Sequence, residues 1–196
     1  MRTIEKTMIN FIDKKLEKNG LAQQAIKDKD ARVLVVLAAQ ACVGIREEGG
    51  NNKGPMVRLI QETIGGASAE AWCMSFVQTM IAYAEYKTKK YSRVHPSEHC
   101  MTVWNKTPKE YRVKTRPLRG AIAIWNYAPS QNGHTGILDI YEDKSKGKMN
   151  LIEGNTEQGL TSSGTIERDG GGVYYTERSN VGTPKMRLVG FLKPFL

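Results

Sequence analysis

Residues 70–86 read EAWCMSFVQTMIAYAEY, a stretch that combines helical spacing with a reactive side chain. Its apolar stripe occupies positions i, i+3, i+4, i+7 and i+11 of one helix face: Cys73, Phe76, Val77, Met80 and Ala84. The spacing predicts a helix with Cys73 in its first turn. It leaves open whether Cys73 is a core residue or a nucleophile, because free cysteines are among the most buried residues.

The elements on either side of this helix differ in period. Helical spacing covers residues 3–18, with Asn19 and Gly20 predicting the end of that helix, and returns at residues 31–43 and from Pro55 onward. The segment 90–118 favours no element. Short runs rich in Ile, Val, Leu and Tyr follow and predict strands at residues 121–125, 134–141, 148–153, 173–177 and 188–192. The fold class is therefore α+β, with N-terminal helices packed on a C-terminal antiparallel sheet.

Length and composition predict one domain over residues 1–196, with residues 1–40 as a helical extension packed on it. The net charge of +9 indicates an anionic partner. Nucleic acid is not expected, because the basic residues are spread along the chain without an RNP-like motif. We expect a monomer.

The N-terminus lacks the apolar core of a signal peptide, and no apolar run reaches the roughly 18 residues of a membrane span. Three cysteines without a CxxC pattern favour a reducing compartment. We therefore expect synthesis as a soluble cytoplasmic chain that reaches any extracellular substrate by another route.

His134 opens one predicted strand, and the next strand runs through Glu153 towards Asn155. In an antiparallel hairpin the numbers of facing residues sum to a constant. An odd sum places Glu153 and Asn155 on the side of His134, where either one can face it. The same register puts an apolar row on that side, and we expect this row to pack on the helices: Leu138, Ile140, Met149 and Leu151.

These residues form a constellation suited to nucleophilic catalysis. A helix N-terminus stabilises the thiolate of Cys73, His134 acts as its base, and a third group fixes the imidazole tautomer. Glu153 is the preferred third group because a carboxylate also stabilises the imidazolium, while Asn155 remains the alternative.

Four motifs in this order resemble the CHAP family, the cysteine, histidine-dependent amidohydrolases/peptidases: AWCMSFV (71–77), GAIAIW (120–125), GHTGI (133–137) and EGNT (153–156). The similarity extends over about residues 40–196 and includes GNNKGP at 50–55. It implies a papain-like fold and cleavage of a peptidoglycan amide bond. It also implies Cys73 as nucleophile, His134 as base and Glu153 or Asn155 as the orienting residue.

The resemblance implies a peptidoglycan endopeptidase or N-acetylmuramoyl-L-alanine amidase that lyses bacterial walls, as a phage endolysin does. A non-catalytic wall-binding module and an intracellular amidase on a small peptide conjugate are the alternatives. No cofactor is expected. A metal is not expected either, because the neighbouring His95, His99 and Cys100 lack a fourth ligand.

Four further residues are candidates for substrate binding. Trp72 and Trp125 flank the catalytic candidates and either stack on a sugar or fill the core. Asn51 and Asn52 either line the cleft or only shape a turn.

Overall fold

The structure is a computed structural model that describes residues 2–115, 117–141, 147–157, 171–179 and 182–196. The helices are α1 (Lys6–Leu16), α2 (Gly20–Lys27), α3 (Ala31–Cys42), α4 (Pro55–Glu62), α5 (Cys73–Thr88) and α6 (Cys100–Lys106). The strands are β1 (Arg112–Val113), β2 (Ile122–Asn126), β3 (Gly133–Tyr141), β4 (Lys148–Thr156), β5 (Gly172–Ser179) and β6 (Arg187–Leu192). The α+β class predicted from the change of period is confirmed, with the helices mostly N-terminal and the strands C-terminal.

The N-terminal region contains one helix more than predicted. Asn19 has a φ of −88°, so it is not the left-handed C-cap that the Asn-Gly pair indicated. Its side-chain oxygen instead accepts a hydrogen bond of 3.0 Å from the Ala22 amide and begins α2. The error has a physical cause, since asparagine is favoured both at helix C-caps and at helix N-caps.

Helix α5 is the centre of the core. It contacts α3, α4, β3 and β4, and nearly all its side chains are buried. Met8, Ile12 and Leu16 of α1 join the same hydrophobic cluster. The N-terminal helices therefore contribute to the core that holds α5 in place.

A buried ion pair ties the N-terminus to α5. The Arg2 guanidinium lies 3.0 Å from the Glu85 carboxylate, with 5% and 12% of the two side chains exposed. Arg2 also donates to the Gln78 side chain and to the Val94 carbonyl. One cation thus connects α5 to the segment that leads towards α6.

We expect Arg2→Met to lower the free energy of unfolding by about 3 kcal/mol, because it leaves the Glu85 carboxylate buried without its cation. Denaturant unfolding measures the loss. Arg58→Met is the matched control, since Arg58 pairs with Glu62 on an exposed helix surface, and there the change should be at most about 0.5 kcal/mol. Equal effects of the two substitutions would contradict the structural role of Arg2.

The strands form one antiparallel sheet in the order β1-β6-β2-β3-β4-β5. Ile137 faces Ile152 and Leu138 faces Leu151, so the odd-sum register predicted for the β3–β4 hairpin is confirmed. The register then shifts between Leu138 and Ile140. As a result, Ile140 is 54% exposed and does not join the buried row to which the sequence assigned it.

The face of the sheet that packs on the helices is the opposite of the predicted one. Ile137 and Ile152 belong to the cluster that contains the helices. Leu138, Met149 and Leu151, on the side of His134, belong to a second cluster with Phe191 and Trp125. The prediction was wrong because this sheet buries apolar residues on both faces, so comparing the two rows cannot identify the one that meets the helices.

Candidate active site

Cys73 is the first residue of α5, and its side chain is almost buried. The preceding Trp72 has φ −120° and ψ 15°, and its carbonyl accepts the amide of Phe76 at 2.9 Å, the first bond of the helix. The Trp72 indole donates to Glu47 at 2.9 Å and fixes the entry into α5. The thiol therefore lies at the positive end of the helix dipole, where unpaired amides favour an anion.

His134 lies near the start of β3, opposite Trp125 of β2. Its Nε2 is 2.9 Å from Oε2 of Glu153, and both side chains are buried. This contact leaves Nδ1 as the ring nitrogen available to Cys73, which lies close enough to raise the pKa of the imidazole. The three side chains thus form a chain from thiol through imidazole to carboxylate.

Gly136 makes room for that chain. A Cβ at this position would lie 2.6 Å from Cγ of Glu153, closer than real Cβ atoms approach. Glycine therefore lets the glutamate side chain lie against β3 and reach the imidazole.

Glu153 has a second partner that the sequence did not indicate. Arg178 of β5 contacts both carboxylate oxygens at 2.5 Å, from Nε to Oε1 and from Nη2 to Oε2. The guanidinium also lies over the Trp125 ring, 5.6 Å from its centroid, and that ring is tilted against His134 at 6.2 Å. The carboxylate is therefore held from two sides.

The charges in this chain favour an ion pair. Burial disfavours the charged form of His134, but the Glu153 carboxylate and Cys73 raise the pKa of its imidazole to about 9. Burial likewise opposes ionisation of Glu153, yet Arg178 and His134 together lower its carboxyl pKa to about 2. At neutral pH His134 is thus protonated and Glu153 ionised.

Cys100 is an unexpected neighbour of the thiol. It is the first residue of α6, and its buried side chain lines the same cleft as Cys73. The neighbouring Cys100 thiol, opposed by burial and aided by His134 and the Met74 amide, holds the pKa of Cys73 well below its ordinary value. The Cys73 thiolate and burial raise the pKa of Cys100. Cys73 is therefore the thiolate of the pair, and Cys100 is the thiol that can donate to it.

We expect iodoacetamide to alkylate Cys73 before Cys100 or Cys42, since burial raises the pKa of Cys42 to about 12. Cys100→Ala should slow alkylation of Cys73 at neutral pH about tenfold by removing the donor, whereas Cys100→Ser keeps a donor and most of the rate. Peptide mass spectrometry measures the order and the rates. Faster modification of Cys42 would contradict this assignment of the thiolate.

The thiol opens into a cleft of about 330 Å³. Cys73, His134 and Asn155 line it, together with residues that lead into and begin β3 and residues that lead into and begin α6: Tyr127, Gln131, Asn132, Gly133, Glu98, His99 and Cys100. Asn155 is buried in a left-handed conformation with φ 54°. Of the two candidates for orienting the imidazole, Glu153 is the one whose contact with the His134 ring is 2.9 Å, while Asn155 borders the cleft.

The other substrate-binding candidates lie elsewhere. Trp72 and Trp125 are 0% and 1% exposed, so neither ring offers a free face to a sugar, and both fill the core. Asn51 and Asn52 are not among the described residues that line the cleft. The Asn52 carbonyl accepts from Gln61, which also donates to the Glu70 carbonyl, so the loop is tied to the segment before Cys73.

Three neighbours of the thiol–imidazole pair were not predicted: Arg178, Cys100 and Tyr127. Arg178 is one residue beyond a predicted strand, and it shares a sheet face with Glu153 because Tyr174 pairs with Glu153. The alternation of side chains along β5, combined with the pairing of β4 and β5, could therefore have placed Arg178 on the face of Glu153. Cys100 and Tyr127 stand in segments without a periodic pattern, and no signal in the sequence places them.

Residues 65–155 match the family model of the CHAP domain, slightly less than half of the chain. The match contains Cys73, His134, Glu153 and Asn155 and ends before Arg178. Neither the search of curated proteins nor that of solved structures finds a significant match. Within the described ranges, no three His, Cys, Asp or Glu side chains are grouped as a metal site requires. None of the helices described combines the length and apolar character needed to cross a membrane.

Proposed function

Because residues 65–155 match the family model of the CHAP domain, we propose that this protein hydrolyses an amide bond of bacterial peptidoglycan with Cys73 as its nucleophile. The observation that carries the proposal is that Cys73 and His134 line one cleft, with Nε2 of His134 2.9 Å from the buried Glu153 carboxylate. Because the domain match contains all three residues, the geometry and the family point to the same chemistry.

The reaction follows from the ion pair. The Cys73 thiolate attacks the carbonyl carbon, and the tetrahedral oxyanion forms beside the amides at the start of α5. His134 then protonates the leaving amine, which departs as the C–N bond breaks and leaves a thioester on Cys73. Water, deprotonated by His134, hydrolyses the thioester and regenerates the thiolate. Glu153 stabilises the imidazolium that each cycle requires.

Two bonds of peptidoglycan fit this chemistry, the amide between N-acetylmuramic acid and L-alanine and the amides within the peptides. The net charge of +9 supports wall binding, since cell walls carry anionic polymers. Lysis of a bacterial wall, as carried out by a phage endolysin, is the biological role that we propose.

The proposal is tested by incubating purified peptidoglycan with the protein and measuring the soluble fragments released. The proposed hydrolase releases fragments with new amine groups. Binding to peptidoglycan without any release would identify a non-catalytic wall-binding module instead. Activity on small peptide conjugates alone would indicate the intracellular amidase.

We expect the rate of hydrolysis to fall on the alkaline side, above about pH 9. His134 must be protonated to deliver a proton to the leaving amine, and its pKa is raised to about 9. Above that value kcat/KM should fall about tenfold per pH unit. Alkylation of Cys73 should not fall there, because the thiolate persists. Hydrolysis that keeps rising beyond pH 10 would contradict His134 as the acid.

A further inference from the structure

Behind the imidazole lies a largely buried cation that the domain match does not include. Arg178 lies on β5, its side chain is 12% exposed, and its two nitrogens meet the two oxygens of a completely buried carboxylate, that of Glu153. Paired guanidinium–carboxylate contacts of this kind fix the plane of both groups. Arg178 therefore determines where the oxygens of Glu153 lie.

One of those oxygens serves both partners. Oε2 of Glu153 accepts from Nη2 of Arg178 at 2.5 Å and contacts Nε2 of His134 at 2.9 Å. A carboxylate held by Arg178 cannot turn this oxygen away from the ring. Trp125 adds a second constraint, since its ring lies beside both groups, with its centroid 5.6 Å from the guanidinium and 6.2 Å from the centre of the imidazole.

The charge of Arg178 acts in the same direction as its geometry. Burial would favour the neutral acid form of Glu153, and a neutral acid cannot stabilise an imidazolium. The adjacent cation keeps the carboxylate charged, and the carboxylate in turn keeps His134 protonated.

We propose that Arg178 is a positioning residue for the hydrolysis, acting through Glu153 to hold the His134 imidazole charged and oriented towards Cys73. The inference rests on the proposed function only where it concerns the effect of Arg178 on turnover of peptidoglycan. The effect of Arg178 on the Cys73 thiol can be measured without any substrate.

The test is a double-mutant cycle of Arg178→Gln and Glu153→Gln, read by the rate of Cys73 alkylation against pH. We expect Arg178→Gln to move the acidic limb of the alkylation profile up by about one pH unit, so that alkylation on that limb slows by up to about tenfold. Arg178→Lys should restore the position of the limb, because it keeps the charge. With peptidoglycan, kcat should fall while KM stays constant, since Arg178 is not among the described residues that line the cleft.

In the Glu153→Gln background, Arg178→Gln should cause no further loss of alkylation rate, because the carboxylate through which Arg178 acts on His134 has already been removed. This comparison also decides the matter if Arg178→Gln alone fails to fold, since the double variant leaves no unpaired charge in the site. Arg119→Gln is the matched control: Arg119 lies in the turn before β2 and pairs with Asp139 of β3 at 2.7 Å, and its loss should leave the alkylation profile unchanged.

Two results would overturn the proposal. One is an unchanged alkylation profile in folded Arg178→Gln, and the other is a further loss on adding Arg178→Gln to Glu153→Gln. A protein that fails to hydrolyse peptidoglycan but shows the expected alkylation cycle would overturn the proposed substrate and leave the role of Arg178 standing.

Discussion

Cys73→Ser is expected to fold like the wild-type protein and to lose hydrolysis of peptidoglycan by a factor on the order of 10⁴ or more. The substitution is nearly isosteric and retains a hydrogen-bonding group at the start of α5. A serine hydroxyl, however, stays neutral where Cys73 is a thiolate, because the surroundings that lower the pKa of the thiol cannot ionise an alcohol at neutral pH. Only the nucleophile is lost.

The measurement is release of soluble fragments from purified peptidoglycan, with circular dichroism and thermal unfolding as checks on the fold. Cys42→Ser is the matched control, since Cys42 is a buried cysteine of α3 and its loss should leave activity close to wild type in any variant that folds. Full activity in folded Cys73→Ser would contradict Cys73 as the nucleophile.

Glu153→Gln has the second largest expected effect, a loss of kcat/KM on the order of 10²–10⁴-fold. The amide keeps the shape of the carboxylate but removes the charge that raises the pKa of His134 to about 9. The pKa of His134 therefore falls, and the imidazolium is lost at pH values between the lowered pKa and 9. Cys73 loses its cationic partner in that range, so its alkylation at neutral pH should slow in parallel. NMR titration of the His134 ring measures the shift directly.

Asn155→Gly is the comparison for that variant, because Asn155 has φ 54° and glycine accepts this conformation without strain. We expect its effect on kcat/KM to be the milder of the two, since Glu153 makes the contact with His134. A nearly inactive Asn155→Gly beside an almost unaffected Glu153→Gln would reverse the assignment. Asn155 would then orient the imidazole, as in Cys-His-Asn hydrolases.

The sequence predicted the order of the elements well, because the hydrophobic periodicity of each element and the turn residues at its ends are local features. The helix from residue 31, the helix starting at Pro55 and the five longer strands are all present, within a few residues at their ends. The missed elements are short. Helix α6 and strand β1 lie in the segment 90–118, where positions are fixed by contacts with β2, β3 and β6 and not by a periodic pattern.

The site was predictable to the extent that it depends on register. The odd sum of facing residue numbers was enough to put His134 and Glu153 on one face of the β3–β4 hairpin. It could not indicate which face meets the helices, because Ile137 on one side and Leu138 on the other are both buried. Cys100 approaches Cys73 through packing between distant segments, and no local rule connects residues 73 and 100.

The most direct measurement is digestion of purified peptidoglycan in ¹⁸O-labelled water, with the products identified by mass spectrometry. Hydrolysis through a Cys73 thioester predicts fragments with a new amine on one side and a carboxylate carrying one ¹⁸O atom on the other, with no new reducing ends. Cys73→Ser should yield none of these fragments. New reducing ends without new carboxylates would show cleavage of glycan bonds and contradict the account.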